Sequence, residues 1–428
     1  MKFIKHLSLY TLVGVIGAGI NFFIMPVLSH YLIPSDYGLL SLFNTYITIL
    51  IPVVSISAYS LLSVDYFKQT DKSIYASQFT SIQIIPIFNT ALLAIFAWIF
   101  YGRFADDLEL KGAGVQWGYI ILALTLFSIY YEQFIQFLII QKKAGAFAFF
   151  SLTKVSIEIS LTFYFIVQKG WAWEGRMYSW LIVSVLFFII AFIYFYRQGM
   201  IKGKIQLHYI REGIVFGGPL VLHGIGKLVV NQSDRLFIAK MVPNGISEAG
   251  IYSVGYTVGS LVLVAVNAFF NFYTPFLMER LSNLNDERKL QIVKMGYWYI
   301  MGCAGLLMFI LIFTPILFTY FIDPVYLPGL KYVFWVSLGY CFWGAYMFFS
   351  GFIFYLKRSR VLGWLAVFNV TSNLLFNYFC IKWFGAIGAA YATALSFFLL
   401  MVVVAYIAQK LMPMPWRNLM EVKAVRFT

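Results

Sequence analysis

Long apolar segments follow one another along almost the whole chain, and only short connectors separate them. Of the 428 residues, 61% are hydrophobic and 11% are charged, whereas a soluble domain carries about 25% charged residues. A membrane-crossing helix needs roughly 20 apolar residues, so the sequence predicts about twelve spans and leaves no room for a soluble catalytic or nucleotide-binding domain. The expected spans are 7–28, 38–63, 78–101, 117–140, 146–167, 177–196, 213–240, 248–277, 292–318, 330–355, 360–381 and 385–408.

The net charge of +14 is unevenly distributed among the connectors. If the N-terminus lies in the cytoplasm, the cytoplasmic connectors hold most of the 31 Lys and Arg residues, including the pairs at 142–143 and 357–358. The opposite side holds few, and Arg176 is counted among them. Because cytoplasmic loops are enriched in Lys and Arg, we expect both termini to be cytoplasmic. The excess charge indicates topology and contact with anionic membrane lipids, and we expect no nucleic-acid partner.

The common sequence motifs of enzymatic chemistry are missing from the sequence. Cys303, Cys341 and Cys380 lie in apolar spans without ligand spacing, which favours neither a metal site nor a disulfide framework. There is no Gly-x-x-x-x-Gly-Lys-Ser/Thr phosphate loop and no Gly-x-Ser-x-Gly nucleophile elbow. We therefore expect no metal, no cofactor and no enzymatic activity, with all the work done at membrane depth.

The two halves of the chain share landmarks at a near-constant spacing, which predicts a duplication of six spans. The halves would be two lobes, 1–205 and 206–428, joined by the basic connector 197–211. Six is an even number, so both lobes would have the same membrane orientation, as in transporters built from parallel repeats. The matching landmarks are Gly38 with Gly250, the basic pairs at 142–143 and 357–358, Lys169 with Lys382, and Gly175 with Gly388.

Polar residues form a stripe on the fifth span and on its repeat counterpart. Ionisable groups at mid-membrane cost roughly 2.5–3.5 kcal/mol each, so they normally face a cavity or a partner. Lys154 and Glu158 lie one turn apart near the midplane, and Thr162 follows on the same helix face. The repeat carries these three positions onto Asn369, Asn373 and Asn377.

The seventh span carries a second stripe. His223, Lys227, Asn231 and Asp234 share one helix face, and Arg235 is adjacent. With Glu132, Asn267 and Asn271 in neighbouring spans, the stripes predict a polar, net basic cavity between the lobes.

These polar residues also have simpler interpretations. Lys154 with Glu158, and Asp234 with Arg235, are close enough in sequence to neutralise each other locally. The Asn residues would serve equally well as hydrogen-bonding glue between helices, and His223 as a packing residue.

Four short segments give the chain a resemblance to a known family. They are Leu32-Ile-Pro-Ser-Asp-Tyr-Gly38, Ser233-Asp-Arg235, Glu248-Ala-Gly-Ile-Tyr-Ser253 and Phe384-Gly-Ala-Ile-Gly-Ala-Ala390. In order and spacing they resemble the Wzx-like polysaccharide flippases, which share a superfamily with MATE multidrug exporters and lipid II flippases.

The resemblance implies a V-shaped, two-lobed transporter of the bacterial inner membrane that works by alternating access. Its substrate would be an undecaprenyl-pyrophosphate-linked oligosaccharide, moved from the cytoplasmic to the periplasmic leaflet for O-antigen or other surface polysaccharide synthesis, alongside a polymerase machinery. Candidate substrate-binding residues are Lys154, Lys227, Arg235, Asn369, Asn373 and Asn377. Candidate residues for coupling to H⁺ or Na⁺, or for charge pairing, are Glu158, Asp234 and His223.

Two other function classes stay open. A MATE-like, cation-coupled exporter of cationic drugs should have an acidic cavity, and the deep charges here are basic or balanced. A membrane polymerase or ligase for lipid-linked glycans would carry a large periplasmic loop, and the longest outer connector, 102–116, is short. The energy source is left undecided among H⁺, Na⁺ and the membrane potential acting on a charged substrate.

Overall fold

The computed structural model describes residues 22–69, 71–104 and 114–417 and the isolated positions 13 and 19. Within these residues the chain is all helical and contains no strand. A helix suits an apolar chain in a bilayer, because it pairs its backbone N–H and C=O groups inside its own segment. The predicted class, an all-α membrane protein, is confirmed.

The described chain divides into two compact units, Met1–Gln232 and Ser233–Thr428. A helical segment over 22–29 opens the described part of the first unit. The helices that follow in this unit are α1 (Pro34–Ser55), α2 (Tyr59–Asp65), α3 (Lys72–Ile82), α4 (Ile84–Phe104), α5 (Gly114–Ile140), α6 (Ala144–Phe163) and α7 (Trp173–Arg197). Helix α8 (Leu207–Met241) begins in the first unit and ends in the second.

The remaining helices belong to the second unit. They are α9 (Gly245–Gly259), α10 (Val262–Ser282), α11 (Asp286–Tyr320), α12 (Leu330–Tyr355), α13 (Ser359–Phe384) and α14 (Ile387–Leu411). Helices α12, α13 and α14 are neighbours in space, with α14 contacting both of the others. The duplication of two six-helix lobes stays a prediction.

Ten helices of the described chain are long and apolar enough to cross a membrane, or eleven if the two parts of the bent helix α8 count as one span. Each predicted span from the second to the twelfth overlaps one of these eleven. The predicted first span, 7–28, lies mostly outside the described residues. The predicted second span, 38–63, is interrupted because Ile56 and Ser57 adopt positive φ angles, which end α1 and leave α2 as a separate short helix.

Several hydroxyl side chains inside the spans donate to a carbonyl of the helix that carries them. Thr45 donates to the Ser41 carbonyl at 2.9 Å, and Thr125 donates to the Ile121 carbonyl at 2.8 Å. This bond to the preceding turn lets a hydroxyl enter an apolar environment without leaving its donor unpaired. Thr45 and Thr125 are therefore compatible with membrane depth and need no functional explanation.

Helices of the second unit approach closely where a glycine removes the side chain. A Cβ on Gly255 of α9 would lie 2.3 Å from the Gly329 carbonyl oxygen, which directly precedes α12. Small residues at such crossings let backbones come together and increase van der Waals contact, which drives helix association in lipid. Gly255 therefore determines how α9 and the start of α12 meet.

The connector between α7 and α8 is ordered against α3. Gly199 turns the chain with φ +75°, and Met200–Lys202 form a short 3₁₀ helix. Thr80 donates to the Met200 carbonyl at 3.0 Å, and Ser81 Oγ accepts from the Gln206 amide at 2.9 Å. The segment that the sequence marks as a linker is thus held to the first unit at both ends.

Candidate functional site

A charged cluster lies between α6 and α7 of the first unit, and we call it the α6 cluster: Lys154, Glu158, Thr162, Arg176 and Trp180. Glu158 is its centre. Its Oε2 is 3.2 Å from Lys154 Nζ, and its Oε1 is 3.0 Å from Arg176 Nη2. Trp180 Nε1 also donates to Oε1, at 2.8 Å. The predicted pair of Lys154 and Glu158 forms, and the carboxylate has two further partners on α7.

Arg176 corrects the sequence interpretation. It was counted as a connector charge on the outer side, yet it lies in the first turn of α7, buried, with 7% of its side chain exposed. Its Nη1 donates to Thr162 Oγ1 at 2.7 Å, and its guanidinium lies 5.1 Å from the centre of the Trp180 ring. The prediction was wrong because Arg176 is close to the end of a predicted span, where the sequence does not distinguish a connector residue from a helix residue. Its partner Glu158 is on another helix and is not apparent from the sequence.

Lys154 is the most accessible charged group of the α6 cluster. Its side chain is 20% exposed, against 14% for Glu158 and 7% for Arg176. The ammonium lies 5.0 Å from the centre of the Tyr131 ring on α5, and Lys154 also interacts electrostatically with Glu132 on the same helix. With Glu132, the described charges around Lys154 are two cations and two carboxylates, which balance.

A second polar cluster belongs to the second unit and is centred on Asp234, which is fully buried. We call it the α8 cluster: Asp234, Tyr252, Asn373, Asn377, Thr393 and Ser396. Tyr252 Oη and Thr393 Oγ1 donate to Asp234 Oδ2 at 2.6 and 3.1 Å, and Asn377 Nδ2 donates to Oδ1 at 2.9 Å. Three donors from α9, α13 and α14 thus converge on one carboxylate, an arrangement suited to its ionised, acceptor-only form.

The Asn residues extend this cluster along α13. Asn377 also donates to Asn373 Oδ1 at 3.1 Å, and Asn373 Nδ2 donates to Ser396 Oγ on α14 at 3.2 Å. The side-chain oxygens Oδ1 of Asn369 and Asn377 are buried without a hydrogen-bond partner. The structure therefore brings Asn373 and Asn377 together with Asp234 and leaves two buried amide oxygens able to accept.

Arg235 is next to Asp234 in the chain and is surrounded by tyrosines. Its guanidinium carbon lies 4.0 Å from the centre of the Tyr256 ring and 5.5 Å from that of Tyr252. Tyr256 and Tyr340 share a hydrogen bond of 2.5 Å between their hydroxyls. With 6% exposure, Arg235 is a buried cation that stacks on aromatic faces, an interaction favourable for guanidinium.

The other predicted positions are less informative. His223 and Lys227 lie in α8, but their side chains are outside the described part of the structure. Asn267 and Asn271 on α10 are exposed. Among the described residues no group of three or more His, Cys, Asp or Glu could hold a metal ion.

The predicted duplication would match one residue of the α6 cluster with one residue of the α8 cluster. The spacing that matches Lys169 with Lys382 also matches Trp180 with Thr393. Trp180 donates to Glu158 in the first unit, and Thr393 donates to Asp234 in the second. If the two halves are duplicates, matched positions on α7 and α14 each donate to a carboxylate. The match is apparent only after the contacts are known, because the side chains of tryptophan and threonine share only the ability to donate a hydrogen bond.

Three comparisons place the chain among known proteins. No protein-family model matches it. A Haemophilus influenzae protein named after the Lsg locus is 24% identical over 347 residues, which is 78% of each chain.

The fold is similar to solved structures of transporters. An inward-facing multidrug resistance MATE family transporter of the MOP superfamily matches with a TM-score of 0.72 and 14% identity, over 99% of this chain and 98% of the other. The lipid II flippase MurJ in an inward closed conformation matches with a TM-score of 0.60 and 15% identity, over 92% and 87%. At these identities the likeness shows the fold, which is that of the MATE and lipid II flippase transporters.

Proposed function

We propose that this protein is a flippase that moves an undecaprenyl-pyrophosphate-linked oligosaccharide from the cytoplasmic to the periplasmic leaflet of a bacterial inner membrane. It would work by alternating access, with both termini in the cytoplasm, and would supply O-antigen or another surface polysaccharide to a polymerase machinery. The fold it shares with the lipid II flippase supports a lipid-linked substrate. Such a substrate has an apolar chain that stays in the bilayer and an anionic, sugar-bearing headgroup that must find polar partners at membrane depth.

The observation that carries the proposal is the partly exposed ammonium of Lys154. It lies on a span, keeps 20% of its side chain accessible, and shares its carboxylate partner with Arg176. A cation in that state is available to a phosphate, because the carboxylate it would leave retains another counter-charge. Lys binds phosphate as a point charge, so Lys154 is our first candidate for the pyrophosphate, with Lys227 as the second.

The polar side chains of the second unit have a different proposed role. Asp234 accepts from three donors, and the unpartnered amide oxygens of Asn369 and Asn377 lie on α13, which contributes to the same site. Carboxylate, amide and hydroxyl oxygens are the ligands that hard cations prefer. These oxygen atoms are therefore suitable ligands for a coupling cation, Na⁺ or H⁺, at Asp234. Arg235, stacked on Tyr256, would balance the carboxylate charge when the site is empty.

Export of small molecules in the manner of MATE transporters is the second candidate. The match to the inward-facing MATE structure, with a TM-score of 0.72 over 99% of this chain, favours it. The α6 cluster argues for an anion instead, since Glu158 already binds two cations from this chain. A cationic drug would have to displace one of them.

Complementation separates the two functions. Lys154→Ala and Lys227→Ala should insert normally yet fail to restore surface polysaccharide in a strain lacking its own flippase. Lys169→Ala is the matched control, because it removes an exposed cation of the first unit that lies outside the α6 cluster. Full complementation by both variants at normal protein level would remove the proposed headgroup site. Drug resistance conferred by the wild-type chain without any change in surface polysaccharide would favour export of small molecules.

A further inference from the structure

Arg176 binds two positions of α6 at once. One branch of its guanidinium reaches Glu158 Oε1 at 3.0 Å, and the other donates to Thr162 Oγ1 at 2.7 Å. Thr162 in turn donates to the Glu158 carbonyl at 2.7 Å. The planar fork of Arg suits two such contacts, which a Lys ammonium cannot reproduce with the same geometry. Arg176 is therefore held against α6 at two positions one turn apart, Glu158 and Thr162.

The two oxygens of Glu158 are divided between partners. Oε1 is occupied by Arg176 and Trp180, both from α7, and Oε2 is occupied by Lys154 from α6. If Lys154 moves to another anion, Oε1 keeps its charge-assisted bonds. An unpaired carboxylate at this depth would be strongly destabilising. Because the two α7 partners still bind Glu158, Lys154 can leave it without leaving the carboxylate unpaired.

We infer that Arg176 is a positioning residue that makes the site selective for anions. Arg176 neutralises the charge of the Glu158 carboxylate. Lys154 can then leave this carboxylate and bind the phosphate of a ligand. The inference rests on the proposed function, because it assigns the exchange to the same Lys154. It adds a residue that does not touch the ligand and a reason why a cation is not accepted at Glu158.

Without Arg176 the same residues would behave differently. Lys154 would become the only cation on Glu158, and the carboxylate would compete with the ligand phosphate for it. Arg176→Gln should therefore weaken anion binding even though the cation that contacts the anion is still present. Removing the competing carboxylate as well, in Arg176→Gln with Glu158→Gln, should restore binding, which loss of a purely structural contact would not do.

The test is equilibrium dialysis of radiolabelled inorganic pyrophosphate against the purified full chain in nanodiscs. The variants are Lys154→Gln, Arg176→Gln and Arg176→Gln with Glu158→Gln, and Lys169→Gln is the charge-matched control.

We expect Arg176→Gln to raise the Kd about tenfold, the factor that corresponds to ~1.4 kcal/mol of competition. The double variant should return to within about threefold of wild type, or ~0.7 kcal/mol, and Lys154→Gln should abolish binding. Tetraphenylphosphonium, a lipophilic cation, should bind Arg176→Gln more tightly than wild type.

The outcomes distinguish the inference from the function on which it rests. A wild-type chain that binds no pyrophosphate would overturn both. Wild-type affinity in Arg176→Gln, or a double variant as weak as Arg176→Gln alone, would overturn the positioning role and leave Lys154 in place. If Arg176→Gln is not monodisperse, Arg176→Lys replaces it, and there the Kd should be above that of wild type but raised less than about tenfold. A Kd for Arg176→Lys equal to that of wild type would also overturn the role.

Discussion

Arg176 on α7 and Glu158 on α6 form an ion pair of 3.0 Å between two spans. Residue spacing along either helix did not predict this contact. The pair turns what would have been a local contact between Lys154 and Glu158 into a connection between helices. It also explains why two cations and a carboxylate are tolerated at this depth, since each charge has at least one oppositely charged or hydrogen-bonding partner. The polar contact between α6 and α7 is therefore centred on Glu158.

Glu158→Gln should destabilise the first unit. The buried Arg176 would lose its counter-charge, and removal of one partner of such a pair costs about 3 kcal/mol. Thermal unfolding in detergent measures the effect. Glu279→Gln is the matched control, because Glu279 also pairs with an Arg but is 68% exposed, and exposed pairs contribute less than ~1 kcal/mol. Equal melting temperatures for Glu158→Gln and the control would mean that the pair does not hold α6 to α7.

Asp234→Asn should weaken the second unit and abolish any dependence on a cation gradient. An amide nitrogen in place of Oδ1 or Oδ2 leaves at least one of the donors Tyr252, Asn377 and Thr393 without an acceptor, at a cost of about 1–3 kcal/mol. Transport in proteoliposomes with and without a Na⁺ or H⁺ gradient measures the coupling. Transport that responds to the gradient as in wild type would exclude Asp234 as the coupling site.

Gly255→Ala should disrupt the meeting of α9 and α12, because the new Cβ would lie 2.3 Å from a backbone oxygen that cannot rotate away. Overpacking of this kind costs about 1–3 kcal/mol, and we expect a lower melting temperature. Gly305→Ala on α11 is the control, since no atom lies within 4 Å of its Cβ and Ala favours a helix by up to about 1 kcal/mol over Gly. A melting temperature for Gly255→Ala at or above that of Gly305→Ala would contradict the close approach.

Asp71 should make the start of α3 sensitive to acid. It caps this helix by accepting from the Ser73 amide at 2.7 Å and the Ser73 hydroxyl at 2.8 Å, and these hydrogen bonds lower the pKa of Asp71. A lowered pKa means that the carboxylate stabilises the folded state at neutral pH and that this contribution is lost as the pH falls through the folded-state pKa. Hydrogen exchange of the first amides of α3 should therefore be less protected in acid, relative to the rest of the helix. In Asp71→Ala that dependence on pH should disappear.

The membrane class and nearly all the spans could be predicted from the sequence, because apolar length is a local property. From the second span onward, each predicted span overlaps a helix or helix pair of the structure. The break at Ile56 and Ser57 was not foreseen, since their side chains are compatible with a continuous helix and only the backbone angles end it.

The candidate site was predictable only in part. Spacing along one helix placed Lys154 beside Glu158 and Asn373 beside Asn377, because these relations follow from the 3.6-residue period alone. The partners from other helices, Arg176, Tyr252 and Thr393, were not found, since hydrophobicity and spacing describe one helix at a time.

What the sequence by itself determined is that the chain is a bundle of apolar helices with polar groups at depth, because burial in lipid forces backbone pairing and penalises each charge. What only the tertiary structure decided is how those charges are satisfied: Glu158 by α7, and Asp234 by α9, α13 and α14. The physical reason is that ion pairs and hydrogen bonds depend on distances of about 3 Å between atoms, and helix packing alone sets those distances between residues far apart in the chain.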